Sequence, residues 1–577
     1  MSEGLLLAIL VGVIVIVLVS VLSRRLGVPG PLILVVVGVG ISLLPQVSAV
    51  SVAPELILAG VLPPLLYSAA VNAPAIEFRR DLTAISGLAV LLVLISAFVL
   101  GLFFFWVIPG IGFPMAVALG AILSPTDAVA TTIVKKVGAP RRVVAILEGE
   151  SLLNDASALV ILRTAIVAAA SGFSFIASVG SFAWSVVIAL AVGAVVGTLA
   201  LRLRVWTGSA TANTALGLTV PYLAYLPSEA LGGSGLVAAV AAGVVCGQGS
   251  LRRLTPEQRI SDKLNWRTIE FLLEGAVFLI MGLELYGIVE ANLEADQGLL
   301  IGGMVAAGAF LILLLVRAAY VFPVLRFQAR RARRAVHQRI VGGEEALREE
   351  AREAAREAEP APPRGGIFGP RRRGEDATHM GQLRADKEYY TETPLTWRHD
   401  ALIVWAGMRG AVTLAAAQTL PQETPQRDLL VFIAFLVAAT SLLLQGTTLP
   451  LLARIVGLRK EGANDLPRDE IRKIVAGLRD EAQVAIDSQS VLRPNRTRFP
   501  DEIYARSHTQ FMSPLDLKEE HRTPDSLEFE LAIIAVMREH LHVLGRSGWY
   551  STSALRFVLD ELDAYEISVK LHLEREG

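Results

Sequence analysis

The chain has 577 residues, 53% of them hydrophobic and 19% charged, with a formal net charge of -1. A soluble protein of this size carries about a quarter charged residues and fewer long apolar runs, so this composition excludes an ordinary water-soluble globule. The lone cysteine, Cys246, lies in an apolar segment, which rules out an intramolecular disulfide and suits a small packing residue.

A membrane-spanning helix needs about 20 mostly apolar residues. In chain order, about thirteen runs meet that need: 4–22, 27–44, 52–71, 82–107, 113–133, 143–171, 175–202, 209–226, 229–248, 265–287, 296–325, 397–420 and 427–456. The eighth, with Thr211, Asn213 and Thr214, is the least apolar. The first has no basic residues before it and no small-residue cleavage site after it, so it reads as a first membrane helix rather than a signal peptide. Basic residues fill every second connection: Arg24-Arg25, Arg79-Arg80, Lys135-Lys136 with Arg141-Arg142, Arg202 and Arg204, Arg252-Arg253, then 326 onward and 454–460. Cytoplasmic loops are the basic ones, which predicts a multi-pass protein of the cell (inner) membrane with its N-terminus outside and its C-terminus in the cytoplasm. An odd number of spans agrees.

The organisation expected is a membrane transporter domain over 1–325, a charged cytoplasmic insert over 326–396, the last two spans over 397–456, and a cytoplasmic tail over 457–577. In the insert, 344–359 reads as a solvated helix followed by a Pro/Gly/Arg-rich linker. In the tail, 527–544 and 552–573 carry helical apolar spacing, with Gly545 and Gly548 marking a turn between them.

Ionisable residues inside membrane helices cost about 2.5–3.5 kcal/mol each on insertion scales and mark a functional path by default. The fifth run contains Ser124-Pro125-Thr126-Asp127. Proline removes a backbone donor and breaks the helix, which exposes carbonyls that can ligate a hard cation; the plainer reading is a proline kink with an aspartate cap. The sixth run contains Glu148 through Asp155. Residues four apart share a helix face, so Ser151 stacks with Asp155 and Glu150 with Asn154. A hydroxyl and a carboxylate one turn apart suit Na+ or Li+, which take hard oxygen ligands. A polar helix start would explain Glu148 as a first-turn acid, but not Asp155, which is followed by a nearly apolar stretch. The eleventh run holds Arg317 and the twelfth Gly407-Met408-Arg409-Gly410. A buried arginine needs a carboxylate or a ring of carbonyls; the economical pairing sets Arg317 on Glu150 and Arg409 against the broken fifth helix, leaving Asp155, with Asp127, for ion and proton. Arg163, two turns beyond Asp155, reads equally as an outer gate or as a snorkelling side chain. The histidines have no metal spacing, and there is no nucleotide-binding or nucleophile motif.

LPPLLY (Leu62 to Tyr67), SPTDAVA (Ser124 to Ala130), EGESLLNDA (Glu148 to Ala156) and GMRGAV (Gly407 to Val412), in this order, resemble the monovalent cation/proton antiporter family, on the branch that includes the sodium/proton exchangers. The likeness spans roughly 5–456. It implies an all-α polytopic membrane protein of inverted repeats with broken crossing helices, with a core domain (runs four to six and eleven to thirteen) and a dimerisation domain, working as a homodimer by an elevator-like motion, plus a small helical tail. By resemblance, Thr126 gives a backbone carbonyl to the cation, and Asp127, Ser151 and Asp155 give side-chain oxygens. Asn154 shapes the site and marks electroneutral exchange, Glu150 pairs with Arg317, and Arg409 stabilises the helix crossing. Some relatives carry an acid where this chain has Ser68.

Together these readings predict a non-enzymatic secondary antiporter exchanging Na+ or Li+ for H+ across the plasma membrane, for pH and sodium homeostasis, with Asp155 taking either ion or proton. No cofactor and no nucleic acid is implied; the surrounding partner is lipid. The alternatives are a K+/H+ antiporter using the same site, a cation channel, or a non-transporting membrane sensor acting through its tail.

Overall fold

In hydrocarbon no water satisfies backbone N–H and C=O groups, so an apolar chain crosses as helix. The computed structural model describes residues 3–44, 52–171, 175–294, 298–356, 389, 395–458, 467–493, 495–510 and 523–576. Among them the chain is helical almost throughout, with a single isolated β-bridge between Leu492 and Arg498. In order come α1 (Glu3–Leu26), α2 (Gly30–Ser42), a π-helical turn (Leu56–Val61) leading into α3 (Leu62–Asn72), and α4 (Ala75–Arg80). Next are α5 (Leu82–Ser86), continuing through a π-helical stretch into α6 (Val93–Val107), then α7 (Phe113–Leu123), α8 (Val129–Val137), α9 (Arg141–Ser171) and α10 (Phe175–Thr207). They are followed by α11 (Ala210–Ala230), α12 (Gly235–Arg253), α13 (Pro256–Leu283), α14 (Leu285–Glu294), α15 (Leu299–Arg356), α16 (Trp397–Trp405), α17 (Ala411–Gln418) and α18 (Arg427–Ile455).

Helix occupies every apolar run named above. Among the described residues, 8 helices are long and apolar enough to cross a membrane, and Gly30–Ser42, Leu56–Asn72 and Phe113–Leu123 are shorter apolar helices. The least apolar run forms α11 of 21 residues, which holds Pro221 and Pro227 inside it. The fifth and twelfth runs are each two half-helices, interrupted at 124–128 and 406–410. Large apolar side chains stand exposed along α1, α6 and α10, Trp106 at 80% and Trp206 at 82%, as a lipid-facing wall requires. Small residues let helices close up where lipid gives no hydrophobic drive between them: a Cβ on Gly38 of α2 would lie 2.6 Å from the Leu279 carbonyl of α13. One apolar core joins α6–α9 to α15–α18. A second, around Tyr67, Leu201, Val220, Ala238, Cys246 and Trp266, joins α3 to α10–α13.

α15 continues as one helix from the eleventh apolar run through Arg356, so 344–356 is helical; the rest of the 326–396 insert lies outside the described residues apart from Tyr389 and 395–396. The tail contains α19 (Arg468–Asp487), α20 (Asp501–Gln510), α21 (Pro524–Ser547) and α22 (Thr552–Glu576). α21 stops at Gly548, whose φ of 75° is cheap only for glycine; Gly545 lies within the helix. The tail docks on the membrane helices. Buried Glu77 of α4 accepts hydrogen bonds from the Thr552 backbone N–H (3.1 Å) and hydroxyl (2.6 Å). Buried Asp563 of α22 accepts from Arg259 Nε of α13 at 2.7 Å. Arg556 donates to the carbonyls of Val71, Asn72 and Ala73 at the open C-terminal end of α3.

Candidate functional site

The two interrupted helices cross at their breaks. The Asp127 backbone N–H donates to the Met408 carbonyl at 2.8 Å, a bond between the two unwound stretches. α7 and α16 end at this crossing and present unsatisfied carbonyls, whereas α8 and α17 begin there. Arg409 answers the carbonyl ends: its Nε donates to Leu123 O at 2.9 Å, Nη2 to Ser124 O at 3.4 Å and Nη1 to Gly407 O, while its backbone N–H is held by Ser441 Oγ of α18 at 2.9 Å. A cation against two helix C-termini and Asp127 at the N-terminus of α8 match the helix dipoles. The crossing is tight. A Cβ on Gly410 would overlap the Asp127 carboxylate, and one on Gly407 would lie 2.6 Å from Arg317 Nε.

α9 lies against this crossing. Its Glu150 is in a two-pronged ion pair with Arg317 of α15, at 2.5 Å and 2.8 Å, with both side chains at most 3% exposed. Arg317 Nε donates at 3.1 Å to Ile403 O near the end of α16. Thr126 Oγ1 donates to Glu150 at 3.2 Å, and Asn154 Nδ2 donates to Thr126 Oγ1 at 2.7 Å and to the Thr126 carbonyl at 3.2 Å. The buried Asn154 Oδ1 has no hydrogen-bond partner among the described residues. Arg317, Glu150, Thr126 and Asn154 thus form one buried, charge-balanced chain that ties α15, α9 and the unwound stretch together.

Asp127, Ser151 and Asp155 face away from that chain into a cavity of about 350 Å³, which also reaches Thr126. Asp127 Oδ1 accepts from the Val129 N–H at 2.9 Å, so it does cap α8, and Ser151 Oγ donates to the Glu148 carbonyl at 3.2 Å. The Asp155 carboxylate makes no hydrogen bond to protein among the described residues. On its other side, among the described residues, Asp155 borders a void of about 10 Å³ walled by Ile122, Leu159, Leu162, Val412 and Ala416. The large cavity runs instead towards Lys135 and Glu148, which form an ion pair at its mouth. Asp155 is therefore reached from the end with the basic loops and sealed by apolar side chains from the other. α9 begins at Arg141, so Glu148 is two turns inside the helix, not a first-turn acid as one sequence reading had it.

Two further carboxylates line the cavity from α13: Glu270 and Glu274, one helical turn apart. They were missed in the sequence, although acids spaced i, i+4 inside the tenth apolar run were the available signal. Ser68 is fully buried. Arg163 pairs with Glu229 of α11 at 2.7 Å, and Glu229 also accepts from the Gly235 N–H at 2.8 Å. Among the described residues no group of three or more His, Cys, Asp or Glu could hold a metal ion.

Two helices broken and crossed deep in an apolar bundle, with acids and a single sealed side, define a secondary membrane transporter. The family described as "Sodium/hydrogen exchanger, transmembrane" matches residues 11–455. The protein named uncharacterized Na+/H+ exchanger YjcE of Escherichia coli K12 is 39% identical over 255 residues, 42% of this chain and 46% of that protein. The sodium, potassium, lithium and rubidium/H+ antiporter of Bacillus subtilis is 31% identical over 321 residues, 54% of this chain and 48% of that one. The structure of the sodium proton antiporter MjNhaP1 from Methanocaldococcus jannaschii at pH 8 covers 78% of this chain and 99% of its own, with a TM-score of 0.56 at 17% identity, a likeness of fold. The chain belongs to the sodium/hydrogen exchanger family, whose members are cation/proton antiporters and not enzymes.

Proposed function

We propose that the chain exchanges Na+ or Li+ for H+, one for one and electroneutrally, across the plasma membrane, serving pH and sodium homeostasis. The observation that carries this is Asp155: a carboxylate with no hydrogen bond to protein among the described residues, beside Ser151 and Asp127 in a cavity that runs towards the basic loops. Asp155 takes either a proton or a cation. Thr126 contributes its carbonyl, Asp127 and Ser151 contribute side-chain oxygens, and Asn154 holds Thr126 in place. Glu150 is spent on Arg317 and does not compete for the ion. Either occupant lowers the charge of the site, whereas an empty pair of carboxylates is costly to carry through low dielectric. The loaded core can therefore move and the unloaded one cannot, which makes exchange obligatory.

The wider reading has thirteen spans in inverted repeats, the N-terminus outside and the C-terminus in the cytoplasm, and a homodimer with an elevator-like core. Its domains are 1–325 and 397–456 in the membrane, with 326–396 and 457–577 in the cytoplasm. In this orientation the cavity at Asp155 opens inward. The name of the Bacillus relative supports K+/H+ exchange at the same site as a second reading. The test is reconstitution into vesicles with a trapped pH dye. Na+ and Li+ pulses should move protons at a rate unchanged when the membrane potential is clamped. A response to K+ alone would shift the reading to potassium, and an uncoupled current would replace the antiporter with a channel.

A further inference from the structure

A second and larger cavity, of about 1140 Å³, lies between the docked tail and the ends of α3, α10 and α12. Six basic side chains line it: Arg79, Arg252, Arg253, His542, Arg546 and Arg556. No aspartate or glutamate does. Arg556 is engaged on the α3 carbonyls, but among the described residues Arg79, Arg252 and Arg253 enter no ion pair. A smaller cavity of about 320 Å³ shares Arg252, His542 and Arg546 and adds Arg538, with Glu539 as its acid. Burial first, then the guanidiniums of Arg252, Arg259 and Arg538, hold the His542 imidazole below its ordinary value against the pull of Glu539. Leu201 of α10 and Val240, Val244 and Val245 of α12 add an apolar stretch to the lining, beside Thr198 and Gln248.

The guanidiniums of Arg79, Arg252 and Arg253 gather positive charge at one hollow, which an anion would balance, and arginine suits phosphate oxygens. A phosphate could arrive on a lipid or as a free anion, but only a lipid would also use the apolar stretch. The cavity sits at the end of the bundle that bears the basic loops, where an anionic leaflet contributes about 1 kcal/mol per basic residue. We propose that this cavity binds the phosphate headgroup of an anionic phospholipid, with an acyl chain along the α10–α12 stretch. A headgroup there ties α21 and α22 of the tail to α4 and α12.

The test is native mass spectrometry of the full-length chain, stripped of lipid and offered phosphatidylglycerol and phosphatidylcholine in equal amounts, beside the double variant Arg252→Gln, Arg546→Gln. The wild type should retain phosphatidylglycerol in preference, and the variant should lose roughly tenfold or more of that preference. A second arm, which needs no variant, adds inorganic phosphate in excess to the wild type and should leave the lipid bound. Equal retention of the two lipids by the wild type would overturn the proposal, as would an unchanged preference in a folded variant. Complete displacement by inorganic phosphate would overturn the lipid assignment.

Discussion

Burying two opposite charges costs several kcal/mol per ion in lost hydration, and the pair must be well bonded to offset it. Glu150 and Arg317 meet that condition, with two direct bonds and further bonds to Thr126 and Ile403. Removing one partner strands the other. Arg317→Met alone should destabilise the protein by about 3–5 kcal/mol, whereas adding Glu150→Gln should restore most of the loss; melting curves of the two variants in detergent check this. Glu274 has a different part. It lines the Asp155 cavity without sharing the buried chain, so Glu274→Gln should raise the KM for the cation and spare the maximal rate. A carboxylate lining the same cavity attracts the ion even at an effective dielectric of ~20, so the KM should rise by roughly fivefold or more. Initial exchange rates over a cation series measure it, and an unchanged KM would remove Glu274 from the path of the ion.

At the scale of elements, the break in the fifth run was legible in local chemistry, whereas the one in the twelfth run came only from the family resemblance, its physical reason showing once the helices cross. Pro125 cannot continue a helix, and Gly407 and Gly410 occupy the places where another backbone and the Asp127 carboxylate pass too close for a side chain. The crossing itself predicts a contrast between glycines. Gly410→Ala should abolish transport and lower the melting temperature, since the methyl group overlaps Asp127. Gly303→Ala in α15, where no atom of the described residues lies within 4 Å of the added methyl, should be neutral or stabilise by about 0.5–1 kcal/mol. What escaped the sequence depends on neighbours distant in the chain. The pairing of Arg163 with Glu229 joins α9 to α11, and no spacing rule links positions that far apart. Glu270 and Glu274 were visible as letters, but their shared cavity with Asp155 appears only when α13 packs opposite α9.

On the scale of the whole molecule, the tail grips several parts of the membrane bundle, among them the end of α3 through Arg556. Through Thr552 it holds α4, and through Asp563 it holds α13. Asp563 also receives Arg538 at 3.1 Å, so Asp563→Asn leaves two guanidiniums without their shared carboxylate. Hydrogen exchange along α22 should quicken markedly in that variant while the membrane helices stay protected, and unchanged exchange would show that the docking does not rest on this contact. Exchange itself turns on one carboxylate. Asp155→Asn removes the charge and keeps the shape, and in proteoliposomes with a trapped pH dye it should abolish cation-driven proton movement while the protein remains folded. Exchange persisting at the wild-type rate in Asp155→Asn would contradict the account.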